Sequence, residues 1–242
     1  IEDYYRAEFA AKYINDTYSP SKAYFDIEAR ARDMKGDFPE PGECPIDAIT
    51  LICEKEKHVF TLLLRDKINP QISIFEEEYN LGKLIPELKE FIKDAIGGDN
   101  KIEKYGLGDF EYSMLFYDEE DEINLIKDLF VIINKFQPDF TMAWNMSFDV
   151  PYIIYRIMEL GYKPEDIMCH PDFDNKQCYY FIDERNKSEF AERTDYACIS
   201  SYTVYLDQMI QFASRRKGQS KFASYKLDYI GGNITGVKKL DY

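Results

Sequence analysis

Tyr24-Phe25-Asp26-Ile27-Glu28, inside the alternating run from Ala23 to Ala29, sets how this chain is read. Side chains two apart on a strand share a face, so Asp26 and Glu28 project together while Phe25 and Ile27 take the opposite side. Two carboxylates on one face of a central strand repel each other and lose hydration on burial. A divalent cation resolves that conflict by taking both as oxygen ligands. The other reading is an edge strand with a solvated polar face, and Asp-x-Glu alone does not decide between them.

On the C-terminal side, Ile46 to Cys53 and Val59 to Leu64 are β-rich runs around the charged turn Glu54-Lys55-Glu56-Lys57, a hairpin beside the first strand. Upstream, Tyr5, Phe9 and Tyr13 recur at helical spacing and Ser19-Pro20-Ser21 breaks the pattern, which sets off residues 1–22 as a helical lead-in. Lys35 to Pro45 is a loop. Leu81 to Ile96 reads as a helix ended by Gly97-Gly98, and Ser113 to Tyr117 as a strand. Asp118 to Glu122 then opens a helix with Ile123, Ile126, Leu129, Phe130 and Ile133 on its apolar face, the acids suiting the helix dipole. Phe140 to Trp144 is a short buried strand, followed by a helix from about Val150 to Leu160 that Gly161 closes. Gln177 to Ile182 and Arg193 to Ser200 form an extended hairpin. Val204 to Ala213 reads as helical, and Phe222 to Ile230 as a short helix stopped by Gly231-Gly232. This order predicts an α/β chain, a mixed sheet flanked by helices.

A second acid stands where a hydrophobic strand turns into a helix, in Trp144-Asn145-Met146-Ser147-Phe148-Asp149-Val150-Pro151. Ligands of α/β sheets favour that end of a strand. Taken alone, Asp149 reads as a helix N-cap or near it, with Pro151 in the first turn.

The formal net charge is −15, which argues against a clamp that grips DNA by phosphate neutralisation alone. It leaves room for an enzyme that meets phosphates through bound cations. Acid concentrates in Glu76–Glu78 and Asp118–Glu122, read as solvated helix starts or loops. From Leu206 onward seven Lys and Arg stand against three Asp, among them Arg215-Arg216-Lys217, a trio suited to a phosphate backbone or to a solvated loop. Five cysteines without CxxC spacing read as free thiols of a reducing compartment, and Cys169-His170 lacks the second pair that a zinc site needs. No run of about 18 apolar residues is present for a membrane span.

Together the acids resemble the first two exonuclease motifs of family B DNA polymerases: Asp-x-Glu on the first strand, then Asn followed shortly by Phe-Asp. The likeness is strongest to polymerases of T-even-type phages and extends to Asp37-Phe38-Pro39-Glu40-Pro41, Pro45-Ile46-Asp47-Ala48-Ile49-Thr50, Phe148 to Ile153 and Ser224 to Ile230. Two departures stand out. The family's third motif, Tyr followed four residues later by Asp, has no counterpart after Ser224–Ile230, so the chain is expected to be a segment ending before its last catalytic acid. Two residues rather than three separate Asn145 from Phe148.

The resemblance implies an RNase H-like fold with an inserted β-hairpin, a 3′–5′ exonuclease domain over 23–242, and two Mg²⁺ or Mn²⁺ ions held by Asp26, Glu28 and Asp149. It places Asn145, Phe148, Phe25 and Ile27 against the substrate, and gives the hairpin a part in passing the primer strand between sites. Implied partners are a single-stranded 3′ end, primer-template DNA, the rest of a polymerase chain and replisome proteins, with no membrane. The implied location is the cytoplasm, that of a bacterial host if the source is viral. An isolated fragment with three acids is expected to be weak or inactive. Two alternatives stay open: a nuclease-fold module that binds nucleic acid or a replisome partner without catalysis, and a stand-alone nuclease of the same fold.

Overall fold

The computed structural model describes residues 19–30, 39–67, 70–96, 103, 108–183, 185, 190–216 and 222–236. In chain order its elements are β1 (Lys22–Ala29), β2 (Ile46–Cys53), β3 (His58–Leu64), α1 (Gln71–Asn80), α2 (Leu84–Ile96), β4 (Glu111–Tyr117), α3 (Glu122–Phe136), β5 (Phe140–Ala143), α4 (Met146–Glu159), α5 (Pro164–Met168), β6 (Cys178–Phe181), β7 (Tyr196–Ile199), β8 (Val204–Asp207), α6 (Gln208–Arg215) and α7 (Leu227–Ile234). Six strands form a mixed sheet in the order β4-β3-β2-β1-β5-β8, and β6 and β7 pair as a separate antiparallel hairpin.

The alternation that singled out β1 places it inside this sheet. Ala23, Phe25 and Ile27 are buried, whereas Asp26 and Glu28 stand exposed on the other face. β2 lies antiparallel to it with Phe25 opposite Leu51 and Ile27 opposite Ile49, so one apolar face is continuous across the pair. Leu125, Ile126, Leu129 and Ile133 of α3 join Tyr152, Ile153 and Ile157 of α4 in the same buried cluster. β5 runs parallel to β1, and β8 parallel to β5.

α4 is held by a polar lock. Arg156 donates to both carboxylate oxygens of Glu122, Nε to Oε1 at 2.8 Å and Nη2 to Oε2 at 2.7 Å, and its Nη1 donates to the Gly42 carbonyl at 3.2 Å. Glu122 also accepts from the Ile46 N–H at 2.8 Å. The Tyr152 hydroxyl donates to the Cys44 carbonyl and accepts from the Cys44 N–H, at 2.9 and 3.1 Å. Gly42 has φ +82°, and a Cβ there would stand 2.7 Å from the Arg156 nitrogen and the Tyr155 carbonyl carbon. Only glycine lets the loop lie this close to the helix.

Several elements differ from their sequence reading. The expected helix over Leu81–Ile96 begins only at Leu84, and a further helix, α1, precedes it, with Gly82 in a left-handed turn between the two. α1 buries none of its residues, so it has no apolar stripe to read; Glu76 and Glu78 lie within it, and Arg65 clasps Glu76 with Nε to Oε2 at 2.7 Å. α4 begins at Met146 rather than Val150, so Asp149 lies inside its first turn and does not cap it, and Pro151 sits deeper than the first turn. Val204 to Asp207 is a strand that pairs with β5, and helix starts only at Gln208. Four residues are too few for a period of two to stand out from the helix that follows. α7 runs through Gly231-Gly232 to Ile234, because propensity is a weak force beside tertiary context. The expected helix over Glu2–Tyr13 lies outside the described residues, as does part of the Lys35–Pro45 loop.

Candidate active site

Strand register brings the acids to one edge. Tyr24 of β1 is level with Met142 of β5, so Asp26 lies level with the turn that follows Ala143. That turn leads straight into α4 and Asp149. Asp26, Glu28 and Asp149 line one cleft of about 510 Å³ with Ile27, Trp144, Asn145, Phe148, Leu227 and Asp228. The cleft sits at the carboxyl ends of parallel strands, where backbone and helix termini leave room for a ligand.

Asp26 and Glu28 are exposed; Asp149 is only 3% exposed. The Asp149 carboxyl is pushed up to about 8, first by burial, then by the charges of Asp26, Asp207 and Glu28. Burial, reinforced by these neighbouring charges, therefore holds the Asp149 carboxyl well above the usual aspartate range. The donor set is carboxylate oxygen throughout, which suits Mg²⁺ or Mn²⁺, and a cation relieves the repulsion. Among the described residues no three His, Cys, Asp or Glu side chains are disposed to close on a single ion, so the acids form an open cleft and not a finished cage.

The first turn of α4 shapes the wall. Asn145 is exposed and its Oδ1 accepts from the Ser147 hydroxyl at 2.8 Å, while its carbonyl accepts from the N–H groups of Phe148 and Asp149 at 2.9 and 3.2 Å. Phe148 is half-buried, its ring 5.2 Å from that of Tyr152. Phe25 and Ile27 pack into the core with 4% and 5% exposure; Ile27 still reaches the cleft wall, and Phe25 lines a smaller hollow with Tyr24, Thr50, Ile52 and Gln208. Asp26, Glu28, Asn145, Phe148 and Asp149 thus line one cleft, and Phe25 contributes mainly to packing.

Two acids escaped the sequence reading. Asp228, at the start of α7, lines the same cleft; Asp207 ends β8, opposite Ala143 in register, and its charge acts on Asp149. The run Val204–Asp207 before a helix marks Asp207 as a helix cap, and nothing in that spacing reports its closeness to Asp149.

A family model described as DNA polymerase family B, exonuclease domain, matches residues 8–230. The chain belongs to this family. No individual curated protein matches it. The mixed sheet flanked by helices is the RNase H-like architecture of a family B exonuclease domain.

Other candidate features resolve differently. Arg216 packs over the rings of Phe212 and Phe222, at 5.6 and 4.8 Å from their centroids, while Lys217 lies outside the described residues. All five cysteines are free thiols; Cys169 donates to the Gln177 carbonyl at 3.2 Å, and Cys178 contacts the Met168 sulfur at 3.4 Å. Among the described residues no helix is long and apolar enough to cross a membrane.

Proposed function

We propose that this family B exonuclease domain is the proofreading module of a phage-type replicative polymerase. It removes the terminal nucleotide from a single-stranded or mismatched DNA 3′ end and releases a deoxynucleoside monophosphate. The observation that carries the reading is the meeting of Asp26, Glu28 and Asp149 in one cleft at the carboxyl edge of the sheet. On this reading residues 23–242 serve the nuclease and residues 1–22 lead into it.

Asp26, Glu28 and Asp149 are the residues that would hold two Mg²⁺ or Mn²⁺ ions. The ions, when bound, supply the Lewis acidity that activates water and offsets charge on the leaving 3′ oxygen. The remaining work falls to this chain's own groups. Phe148, backed by Tyr152, offers an apolar face to the terminal nucleotide. Asn145, whose Oδ1 is engaged by Ser147, presents its amide NH₂ to an acceptor on the strand. Trp144 is fixed at the rim because its Nε1 donates to the Tyr225 carbonyl at 3.0 Å. A frayed end enters most readily, since its unpairing costs least. The hairpin of β6 and β7 is read as the element that guides the primer strand. Its outer face carries Phe181 and Tyr196 with rings stacked at 5.2 Å.

The open arrangement of the acids also favours a second reading, a module that binds DNA without cleaving it. One experiment separates the two. In the polymerase that contains this domain, Asp26→Ala abolishes Mg²⁺-dependent release of monophosphates from a labelled 3′ end and leaves nucleotide incorporation intact. Unchanged digestion in that variant, or digestion from the 5′ end, overturns the nuclease reading.

A further inference from the structure

Asp207 is a buried acid in a setting that its own helix does not explain. It is 6% exposed and caps α6, its Oδ1 accepting from the Ile210 N–H at 2.9 Å. One such bond satisfies an ordinary N-cap. Its Oδ2 is fully enclosed and has no hydrogen-bond partner. A buried carboxylate oxygen left in that state is costly unless a nearby dipole compensates.

The compensation comes from the neighbouring helix. The first N–H groups of any α-helix lack intrahelical partners, and those of Met146 and Ser147 receive no side-chain cap from Asn145. The N–H groups of Met146 and Ser147, at the start of α4, act on the Asp207 carboxyl together with those of Ile210 and Met209. A backbone tie runs alongside, the Met209 N–H donating to the Trp144 carbonyl at 3.0 Å. β5 and β8 end level, with Ala143 opposite Asp207, so α4 and α6 start side by side with this one carboxylate between their positive ends.

We propose that Asp207 is a positioning residue for the acid cleft: one carboxylate oxygen caps α6, the buried carboxylate charge faces the positive opening turn of α4, and Asn145 and Asp149 are thereby set opposite Asp26 and Glu28. This rests on the metal-binding reading of the cleft. It assigns no ligand role to Asp207, which acts through the turn it anchors. Partners that orient first ligands in metal sites typically change affinity about 10–100-fold when lost.

Asp207→Asn separates this role from simple capping. Asparagine caps a helix as well as aspartate, so the Ile210 bond survives, but the variant lacks the charge that faces α4. Amide hydrogen exchange and Mn²⁺ binding are measured on this chain, the latter by electron paramagnetic resonance. The expected result is exchange at least about tenfold faster at Met146 and Ser147, unchanged protection at Ile210, and Mn²⁺ affinity at least about tenfold weaker. Unchanged exchange at α4 overturns the clamp, and faster exchange with wild-type Mn²⁺ affinity overturns its role at the cleft. Asp207→Ser, also a good cap, replaces the asparagine variant if that one does not fold. Asp26→Ala is the control: if it leaves Mn²⁺ binding intact, the metal reading fails, while the exchange data still decide the clamp.

Discussion

Arg156 of α4 grips Glu122 of α3 through two hydrogen bonds of 2.8 and 2.7 Å, and the Glu122 side chain is only 3% exposed. The pair joins the helix that carries Asp149 to the rest of the core. Because Glu122 also accepts from the Ile46 N–H, its removal leaves a largely buried guanidinium without its carboxylate and a backbone donor without its acceptor. Glu122→Ala is therefore expected to lower stability by about 3–5 kcal/mol, the range for breaking a buried pair from one side. Urea unfolding checks this. A loss below about 1 kcal/mol, the value of an exposed pair, contradicts it.

Gly42 and Gly82 separate two effects that a positive φ usually mixes. Both lie in the left-handed region, at +82° and +69°, but a Cβ at Gly82 meets nothing within 4 Å while one at Gly42 meets the α4 backbone at 2.7 Å. Gly82→Ala is expected to cost about 1–2 kcal/mol from backbone strain alone. Gly42→Ala adds displacement of α4, and so loses more stability and weakens Mn²⁺ binding in the cleft. Equal stability losses in thermal unfolding argue against the close approach.

How far the sequence revealed this molecule depended on whether a residue's role left a local period. β1, β2 and β3 alternate because one face is buried, and that alternation gave the sheet's centre and the shared face of Asp26 and Glu28. α1 left no trace, since Ile74 and Phe75 are exposed and no residue of it enters the core. Asp149 reads as a cap because Pro151 looks like a first-turn residue; α4 winds back to Met146 instead, and the turn there is supported from outside by α6. Asp207 escaped for the same reason. Its function lies in a neighbour distant in sequence, and no spacing within β8 and α6 reports that contact.

The pH dependence of the metal-free chain follows from Asp149. Its carboxyl is raised to about 8 by burial and neighbouring acids, and that of Asp207 to about 6, mainly by burial. The folded state therefore holds more protons than the unfolded chain, whose aspartates titrate near 3.9. Stability from these groups is fully present below about pH 4 and is lost as pH rises toward 8. A tenfold change in proton affinity is worth about 1.4 kcal/mol, so the loss is of the order of a few kcal/mol. Asp149→Asn is neutral throughout, so in EDTA its unfolding free energy is expected to fall less than that of the wild type between pH 4.5 and 8.5, with the variant the more stable at the upper end. Parallel curves for the two proteins rule out the raised carboxyl.

On the proposed reading divalent metal is expected to reverse that cost, and Asp26 provides the test. Removing Asp26 takes away a charge that raises the Asp149 carboxyl, so Asp26→Ala in EDTA at neutral pH is expected to be at least as stable as the wild type. If Mn²⁺ binds the folded cleft and not the unfolded chain, at 100 times its dissociation constant it is expected to stabilise the wild type by about 2.7 kcal/mol. Asp26→Ala and Asp149→Asn each remove one wall of the donor set and are expected to lose most of that gain. Thermal unfolding with and without Mn²⁺ reads both quantities in one experiment. An Asp26→Ala chain stabilised by Mn²⁺ as much as the wild type places the cation elsewhere on the molecule, and the meeting of the three acids then reflects packing at a strand edge.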